Sequence, residues 1–132
     1  MAYTLGTAIE KTETNLALLK VLAENSFDSI LITDASAAGK VIYANKSFKK
    51  LTGYDASEVI GKSPRILQGV GTDKKVIIGL AVALKSGTKF ECKAINYKKD
   101  GTPFIMFWKV LPIKVGKKIE AWIAIQREGS AI

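Results

Sequence analysis

Residues 61–73 read Gly-Lys-Ser-Pro-Arg-Ile-Leu-Gln-Gly-Val-Gly-Thr-Asp, and the rest of the chain is organised around this stretch. Pro64 interrupts any long helix there, because proline lacks a backbone N–H and clashes with the preceding turn. Arg65, Leu67 and Gln68 then place a cation, an apolar side chain and an amide within one turn of backbone. The pattern predicts a short helical turn that presses these three side chains against a ligand. An irregular connection with an exposed arginine fits the same residues.

The residues on either side of this turn predict an α+β domain. Gly69 and Gly71 are expected to loosen the backbone, and Thr72 and Asp73 are expected to cap the next helix. Apolar periodicity and alternation give the remaining elements. The elements are helices at 7–24, 46–51, 55–59 and 72–86, strands at 29–34, 40–44 and 89–97, and two further strands that contain residues 104–110 and 122–126.

The order of these elements predicts a five-stranded antiparallel sheet with its helices on one face, preceded by a flanking helix. We assign residues 1–24 to the N-terminal flanking helix, residues 25–128 to the domain itself and residues 129–132 to a C-terminal tail. At 132 residues, the chain has room for one domain with a real core.

The composition excludes several kinds of chemistry. There is no histidine and only one cysteine, Cys92, which excludes a haem histidine, histidine-based catalysis and an internal disulfide. No apolar run reaches membrane-spanning length and no charged leader precedes one, so we expect a cytoplasmic domain without membrane contact from this segment. The net charge is +8, but the lysines are scattered without interleaved aromatic residues. This distribution favours a solvated surface over a nucleic-acid interface.

Two carboxamides fall on the inward face of the predicted sheet. Asn96 lies in register with Phe90, Cys92 and Ala94 by alternation, and Gln126 occupies the corresponding face of the last strand. A carboxamide is costly to bury without partners. The two amides therefore indicate a bound polar ligand, unless they bond to the backbone or to water.

Several fragments of the chain resemble the PAS family of sensor domains, over residues 25–128. The fragments are Ile32-Thr33-Asp34, Val41-Ile42-Tyr43-Ala44-Asn45, Leu51-Thr52-Gly53-Tyr54 and Glu58-Val59-Ile60-Gly61-Lys62. Three more resemble the flavin-binding branch that includes the LOV (light, oxygen, voltage) photoreceptors. These are Arg65-Ile66-Leu67-Gln68-Gly69, Ile95-Asn96-Tyr97 and Ile125-Gln126. The resemblance implies a PAS fold and a bound flavin.

The chain departs from LOV domains at four positions. Pro64 stands where LOV domains carry the cysteine whose sulfur light drives onto the flavin, so that photocycle is not expected here. Met106 replaces a flavin-bonding asparagine, Ala81 replaces an arginine that helps to hold the FMN phosphate, and Ser63 replaces an asparagine. This pattern is similar to the redox-sensing flavin PAS domains of nitrogen-fixation regulators, methane-oxidation kinases and aerotaxis receptors. It implies FAD as the cofactor, with FMN as the alternative.

The resemblance and the inward faces together give a set of expected flavin contacts. Gln126 can donate or accept a hydrogen bond by rotating its amide, so it can respond to protonation of the flavin. Trp122 is expected either to contact the ring or to pack in the core, and Arg65 is expected to meet a phosphate or the ribityl chain. The expected contacts are Thr33, Ser63, Arg65, Leu67, Gln68, Asn96, Met106, Trp108, Trp122 and Gln126.

The sequence therefore predicts a flavin-binding PAS sensor of redox state or oxygen, not an enzyme, because no nucleophile–base pair or metal cluster is apparent. One alternative is a cysteine-less LOV blue-light sensor in which light reduces the flavin. Another is a ligand-free PAS module for dimerisation or protein interaction. The expected partners are a second copy, bound through the N-terminal helix or the sheet, and an output signalling module in the full-length protein.

Overall fold

The computed structural model describes residues 12–130 and shows an α+β domain built on one antiparallel sheet. The helices are α1 (Thr12–Glu24), α2 (Lys46–Thr52), α3 (Ala56–Val59), a 3₁₀ helix (Pro64–Leu67) and α4 (Lys74–Ser86). The strands are β1 (Ser29–Asp34), β2 (Val41–Ala44), β3 (Phe90–Tyr97), β4 (Pro103–Val115) and β5 (Lys118–Glu128).

The five strands lie in the order β2-β1-β5-β4-β3, with every neighbouring pair antiparallel. The turn between β3 and β4 is the predicted Asp-Gly turn, and Gly101 has the left-handed φ of 88° that a side chain would resist. The last strand in the sequence, β5, lies at the centre of the sheet between β1 and β4. Its residues are therefore flanked on both sides, and Gln126 pairs with Ser29 and with Trp108.

The core lies between the inner face of the sheet and the helices of residues 46–86. Leu31, Met106 and Trp108 from the sheet pack in one buried cluster with Phe48 of α2 and Leu67 of the 3₁₀ helix. This confirms the predicted fold, with its helices gathered on one face. In residues 12–130, no helix combines the length and the apolar character needed to cross a bilayer.

Asn45 is the main link between α1 and the domain. It caps α2, as predicted, because its Oδ1 accepts a hydrogen bond from the N–H of Phe48 at 3.1 Å. Its Nδ2 donates to the carbonyl of Ala23 in α1 at 2.8 Å. The Tyr43 hydroxyl adds a bond to the Glu24 carboxylate. The end of α1 is thus fixed to β2 and to the start of α2.

Two local predictions need correction or restriction. Asp73 caps α4, since its side chain accepts from the N–H of Lys75 at 2.8 Å, so α4 starts at Lys74 rather than at Thr72. Thr72 is buried and bonds elsewhere. The predicted N-terminal helix is confirmed from Thr12 onward; residues 7–11 and the last two residues of the predicted tail lie outside the described part of the chain.

Candidate functional site

A cavity of about 470 Å³ lies between the inner face of the sheet and the segment formed by the 3₁₀ helix and α4. The β1–β2 loop, residues 34–39, lines one side of it. This volume is in the range of sites for small molecules and cofactors. All ten residues predicted from the sequence line this one cavity: Thr33, Ser63, Arg65, Leu67, Gln68, Asn96, Met106, Trp108, Trp122 and Gln126. Their contacts with a flavin remain predictions.

Asn96 has a poor hydrogen-bond partner within the protein. Its side chain is 3% exposed, and its Nδ2 donates only to the Met106 sulfur, at 3.6 Å. A thioether is a weak acceptor. Within residues 12–130, no hydrogen bond engages Asn96 Oδ1. One end of this nearly buried amide is therefore available to a ligand.

Gln126 is similarly half-satisfied. It is 4% exposed, and its Oε1 accepts a hydrogen bond from the Ser29 hydroxyl at 3.0 Å. No residue in the described chain accepts from Gln126 Nε2. The sequence left open whether the two inward amides bond to backbone, and the structure shows no backbone partner for either side chain in residues 12–130. Two amides with unused bonding capacity thus line one cavity.

The predicted short helical turn is present as the 3₁₀ helix, and it lines the cavity. Ser63 caps it by accepting from the N–H of Arg65 at 3.2 Å, and Pro64 occupies its first turn. Leu67 is buried and Gln68 half-buried against the cavity, while Arg65 is exposed and lines it. Among the described residues, Arg65 forms no ion pair. Its charge is therefore available to an anionic group.

This set of groups fits a flavin. An isoalloxazine ring has carbonyls and ring nitrogens along one edge and is otherwise apolar. The cavity offers the amides of Asn96, Gln126 and Gln68, together with apolar side chains such as Leu67 and Met106. A cation, Arg65, stands where a phosphate-bearing tail would find a counter-charge.

The loop of residues 34–39 and the outer part of α4 contribute cavity residues that the sequence reading missed. Asp34 Oδ1 accepts from the N–H and the hydroxyl of Ser36 and from the N–H of Lys40. These bonds, the Ser36 hydroxyl first, lower the pKa of Asp34, so the loop carries a fixed negative charge. The available signal was the aspartate followed by small residues, which is typical of a side-chain-stabilised turn. Leu84 and Lys85 line the cavity from the last turn of α4.

Gly69 and Gly71 have a different role from the one expected. Neither adopts a positive φ. Both instead lie against the side chain of Tyr97, where a Cβ at Gly71 would be 2.6 Å from the tyrosine oxygen. These glycines therefore permit a close approach rather than loosen the backbone.

Cys92 does not line the cavity. Its half-buried side chain packs against the core, at a position paired with Trp108 across the sheet. Burial raises the pKa of Cys92 from 9.0 to about 12, so its thiolate is strongly disfavoured at neutral pH. The cavity position that the resemblance associates with a cysteine is occupied by Pro64.

The raised pKa of Cys92 predicts a loss of stability at high pH. The unfolded chain releases this proton near pH 9, and the folded chain releases it near pH 12. The stabilisation is therefore complete below about pH 9 and is lost as pH rises toward 12. We expect the urea midpoint to fall over this window, and to fall less in Cys92→Ala. Equal slopes for the two proteins would contradict the prediction.

Comparison with known proteins gives the family. Residues 28–130 match the PAS domain family. The chain belongs to this family. Its similarity to solved structures extends to LOV domains: the LOV domain of a blue-light-activated histidine kinase from Erythrobacter litoralis superposes with a TM-score of 0.73 at 30% identity, covering 76% of this chain and 94% of that one. An RNA-binding light-oxygen-voltage receptor superposes with a TM-score of 0.83 at 25% identity, covering 97% of this chain and 36% of the receptor.

Curated relatives point to the same branch of the PAS family. A blue-light-activated histidine kinase from Brucella anthropi is 45% identical over 74 residues, which are 56% of this chain and 15% of the kinase. Phototropin-1A from Oryza sativa subsp. japonica is 38% identical over 87 residues, which are 65% of this chain and 9% of the phototropin. Protein TWIN LOV 1 from Arabidopsis thaliana is 30% identical over 111 residues, which are 82% of this chain and 28% of that protein. This PAS chain spans a small part of each relative.

Proposed function

We propose that this PAS domain is a blue-light sensor of the LOV type that binds FMN and lacks the reactive cysteine of the cavity. The observation that carries the proposal is the pair of nearly buried amides, Asn96 and Gln126, that line the cavity with unused hydrogen-bonding capacity. The blue-light-activated kinase and the LOV proteins among its relatives support light as the signal. None of those relatives supports the redox or oxygen sensing expected from the sequence.

In this proposal, different residues of the cavity contact different parts of the flavin. Asn96 and Gln126 hold the polar edge of the ring, Leu67 and Met106 form apolar walls, and Arg65 meets the phosphate. The oxidised flavin supplies absorption of blue light and an acceptor for an electron. The buried indoles of Trp108 and Trp122 line the same cavity. We assign to them the role of electron donors to the excited flavin. Thr33, Ser63 and Gln68 complete the proposed contacts.

Gln126 connects the cavity to the start of the domain. Its Oε1 is bonded to the Ser29 hydroxyl, at the first residue of β1. The adjacent residues are also paired, since Arg127 forms an ion pair with Asp28 at 2.7 Å. Rotation of the Gln126 amide would exchange an acceptor for a donor opposite Ser29. We therefore assign to Gln126 the step that carries a change at the flavin into β1.

The choice of FMN over FAD departs from the sequence expectation. The pattern of departures from LOV domains, with Pro64 at the cysteine position, implies FAD, and Ala81 adds to this because it replaces an arginine that LOV domains use for the FMN phosphate. Arg65 lines the cavity without an ion-pair partner in the described chain, and so does Lys85, one helical turn beyond Ala81. A second cation is thus present even though the arginine is absent. FAD remains the alternative cofactor.

The visible absorption spectrum of freshly purified protein tests the proposal. A structured blue band is expected, and chromatography of the cofactor released by heating is expected to show FMN. Blue light in the presence of an external reductant such as EDTA should then bleach the band, and air should restore it. Protein that stays colourless after incubation with FMN and FAD would overturn flavin binding. A flavin that responds to dithionite and air but not to light would favour the redox reading.

We propose the same division of the chain as the sequence predicted: a flanking helix to residue 24, a sensor domain at 25–128 and a short tail. The sensor itself performs no catalytic turnover. Its relatives include histidine kinases in which the matched region is a small part of the protein. An output module elsewhere in the full-length protein is therefore the proposed recipient of the signal.

We further propose a homodimer, because residues 12–130 present two apolar surfaces that no other described residue covers. The outer face of the sheet carries Ile95 and Phe107, each 38% exposed, and residues 105, 123 and 125 of the same face are isoleucines that are only partly buried. In α1, Leu19 and Leu22 are more than half exposed. One chain thus offers both an apolar helix and an apolar sheet, and a second copy can cover both in a symmetric pair.

Substitution of Phe107 with glutamate is expected to convert the dimer to a monomer. The change places a charge on the apolar outer face of the sheet, at a residue that does not line the cavity. Light scattering coupled to gel filtration would measure the mass, and Val115→Glu, at an exposed position near the end of β4, is the matched control. A monomeric wild type at high protein concentration would contradict the proposal.

A further inference from the structure

The side chain of Tyr97, the last residue of β3, lies directly on bare backbone of the loop formed by residues 69–72. Its hydroxyl oxygen accepts a hydrogen bond from the N–H of Gly71 at 2.7 Å. A Cβ at Gly69 would lie 2.5 Å from Cδ1 of the tyrosine ring, and a Cβ at Gly71 would lie 2.6 Å from the tyrosine oxygen. Only glycine at both positions allows the ring to approach this closely.

Thr72 joins the same loop to β3 a second time. Its Oγ1 donates to the carbonyl of Ile95 at 2.7 Å and accepts from the N–H of Gly69 at 3.1 Å. The side chain of Thr72 is buried, and its N–H donates to the carbonyl of Gly69 at 3.0 Å. Because β3 is an edge strand of the sheet, the loop fixes itself to an edge that would otherwise be open.

These contacts hold together two walls of the cavity. The loop begins directly after Gln68 and leads into α4, and Gln68 and α4 residues line the cavity from the helical side. Tyr97 directly follows Asn96, which lines the cavity from the sheet. Neither Tyr97 nor the loop lines the cavity itself. Tyr97 therefore joins the helical wall of the cavity to the sheet wall, at a point where the two walls could move apart.

We infer that Tyr97 is a positioning residue that sets how fast the bound flavin leaves, by latching residues 69–72 onto β3. The inference rests on the proposed flavin binding. Loss of one neutral hydrogen bond changes an equilibrium by roughly 2- to 10-fold. Removal of the Tyr97 hydroxyl should increase opening of the loop, and with it the rate of flavin release, by a factor in this range.

The test compares Tyr97→Phe with wild type and with Tyr54→Phe. Tyr54 is a partly buried tyrosine whose hydroxyl has no hydrogen-bond partner in residues 12–130, so its variant is a matched control for removal of an oxygen. Protein loaded with FMN is mixed with an excess of a flavin-scavenging protein, and the release rate is followed by absorbance. In parallel, amide hydrogen exchange of residues 68–72 and the thermal midpoint are measured without flavin.

Tyr97→Phe is expected to release FMN roughly 2- to 10-fold faster and to exchange the Gly71 amide faster by a similar factor, while Tyr54→Phe matches wild type in both. Gly69→Ala should show a larger effect, because its methyl group displaces the tyrosine ring. Equal release rates for the two phenylalanine variants would overturn the inference and leave flavin binding intact. The inference would also be overturned if both phenylalanine variants released FMN faster and had thermal midpoints lowered by the same amount, because the effect would then be a general loss of stability. Failure of wild type to bind FMN or FAD would overturn the proposed function as well.

Discussion

Replacement of Asn45 with alanine is expected to destabilise the domain by about 3–5 kcal/mol, as the sum of a lost helix cap and several unmade hydrogen bonds. Asn45 is 2% exposed, and its side chain makes four hydrogen bonds. Its Oδ1 accepts from the N–H groups of Ile30 at 2.9 Å and Phe48 at 3.1 Å. Its Nδ2 donates to the carbonyls of Ala23 at 2.8 Å and Asp28 at 3.0 Å. Alanine leaves all four groups without this partner.

Asn25→Ala is the matched control for this prediction. Its Nδ2 makes one exposed hydrogen bond, to the carbonyl of Val21 at 2.8 Å, so its loss should cost less than about 1 kcal/mol. Urea unfolding would measure both variants, with an unchanged m-value as the sign that the comparison is valid. Since ordinary domains are stable by about 5–15 kcal/mol, a variant of a domain at the lower end would be partly unfolded without urea, which also agrees with the prediction. Two variants within 1 kcal/mol of each other would contradict the prediction.

The same substitution should release α1 from the domain. Asn45 is the side chain that joins the carbonyl of Ala23, near the end of α1, to the start of α2. Amide exchange in the last turn of α1 should therefore increase by more than the global loss of stability predicts.

Much of the fold was predictable because it depends on local rules. Alternation placed Asn96 and Trp122 on the inner face, and the Asp-Gly step at Gly101 marked the β3–β4 turn. Asn45 was predicted as a cap from its residue type and position, and it is one. Where the structure differs, element ends shift by one or two residues. At Asp73 the reason is that Thr72 and Asp73 are both capable caps and only tertiary contacts decide between them.

The cavity was predictable as a set of residues but not as an arrangement. The expected flavin contacts are brought together on one cavity, since strand alternation and the 3₁₀ turn fix their directions. The role of Gly69 and Gly71 was missed because their partner, Tyr97, is 26 residues from Gly71 in sequence. No local rule shows which ring approaches which glycine. The hydrogen-bonding deficit of Asn96 and Gln126 likewise appears only when all neighbours are placed.

For the signal, the comparisons favour the alternative that the sequence left open, a LOV-type light sensor, over redox or oxygen sensing. Individual departures from LOV domains, such as Pro64 and Ala81, favoured the redox reading with FAD. The similarity over the chain as a whole favours LOV proteins, and the blue-light-activated kinase is among them. Single positions limit which chemistry is possible, whereas similarity over the chain shows which proteins it is related to. The proposed light response, which uses no cysteine, is compatible with both observations.

Substitution of Pro64 with cysteine is expected to change the light response from one that requires an external reductant to one that does not. Pro64 lines the cavity in the first turn of the 3₁₀ helix, at the position where the resemblance places the reactive cysteine. Ser63 would still cap the turn, and removal of the proline ring should cost about 1 kcal/mol or less. We expect blue light alone to bleach the flavin band of Pro64→Cys, followed by recovery in the dark.

Pro64→Ser is the matched control, because it removes the proline and adds a side chain of similar size without a thiol. Cys92 is present in both variants, so photochemistry that depended on it would appear in the serine variant as well. Its absence from the cavity lining and its raised pKa of about 12 predict that it contributes nothing. Identical light responses in the two variants would contradict the prediction. A response restricted to Pro64→Cys would show that the cavity already has the geometry of a photoreceptor and lacks only the sulfur. The natural proline would then direct the light response toward electron transfer, for which Trp108 and Trp122 are the cavity donors.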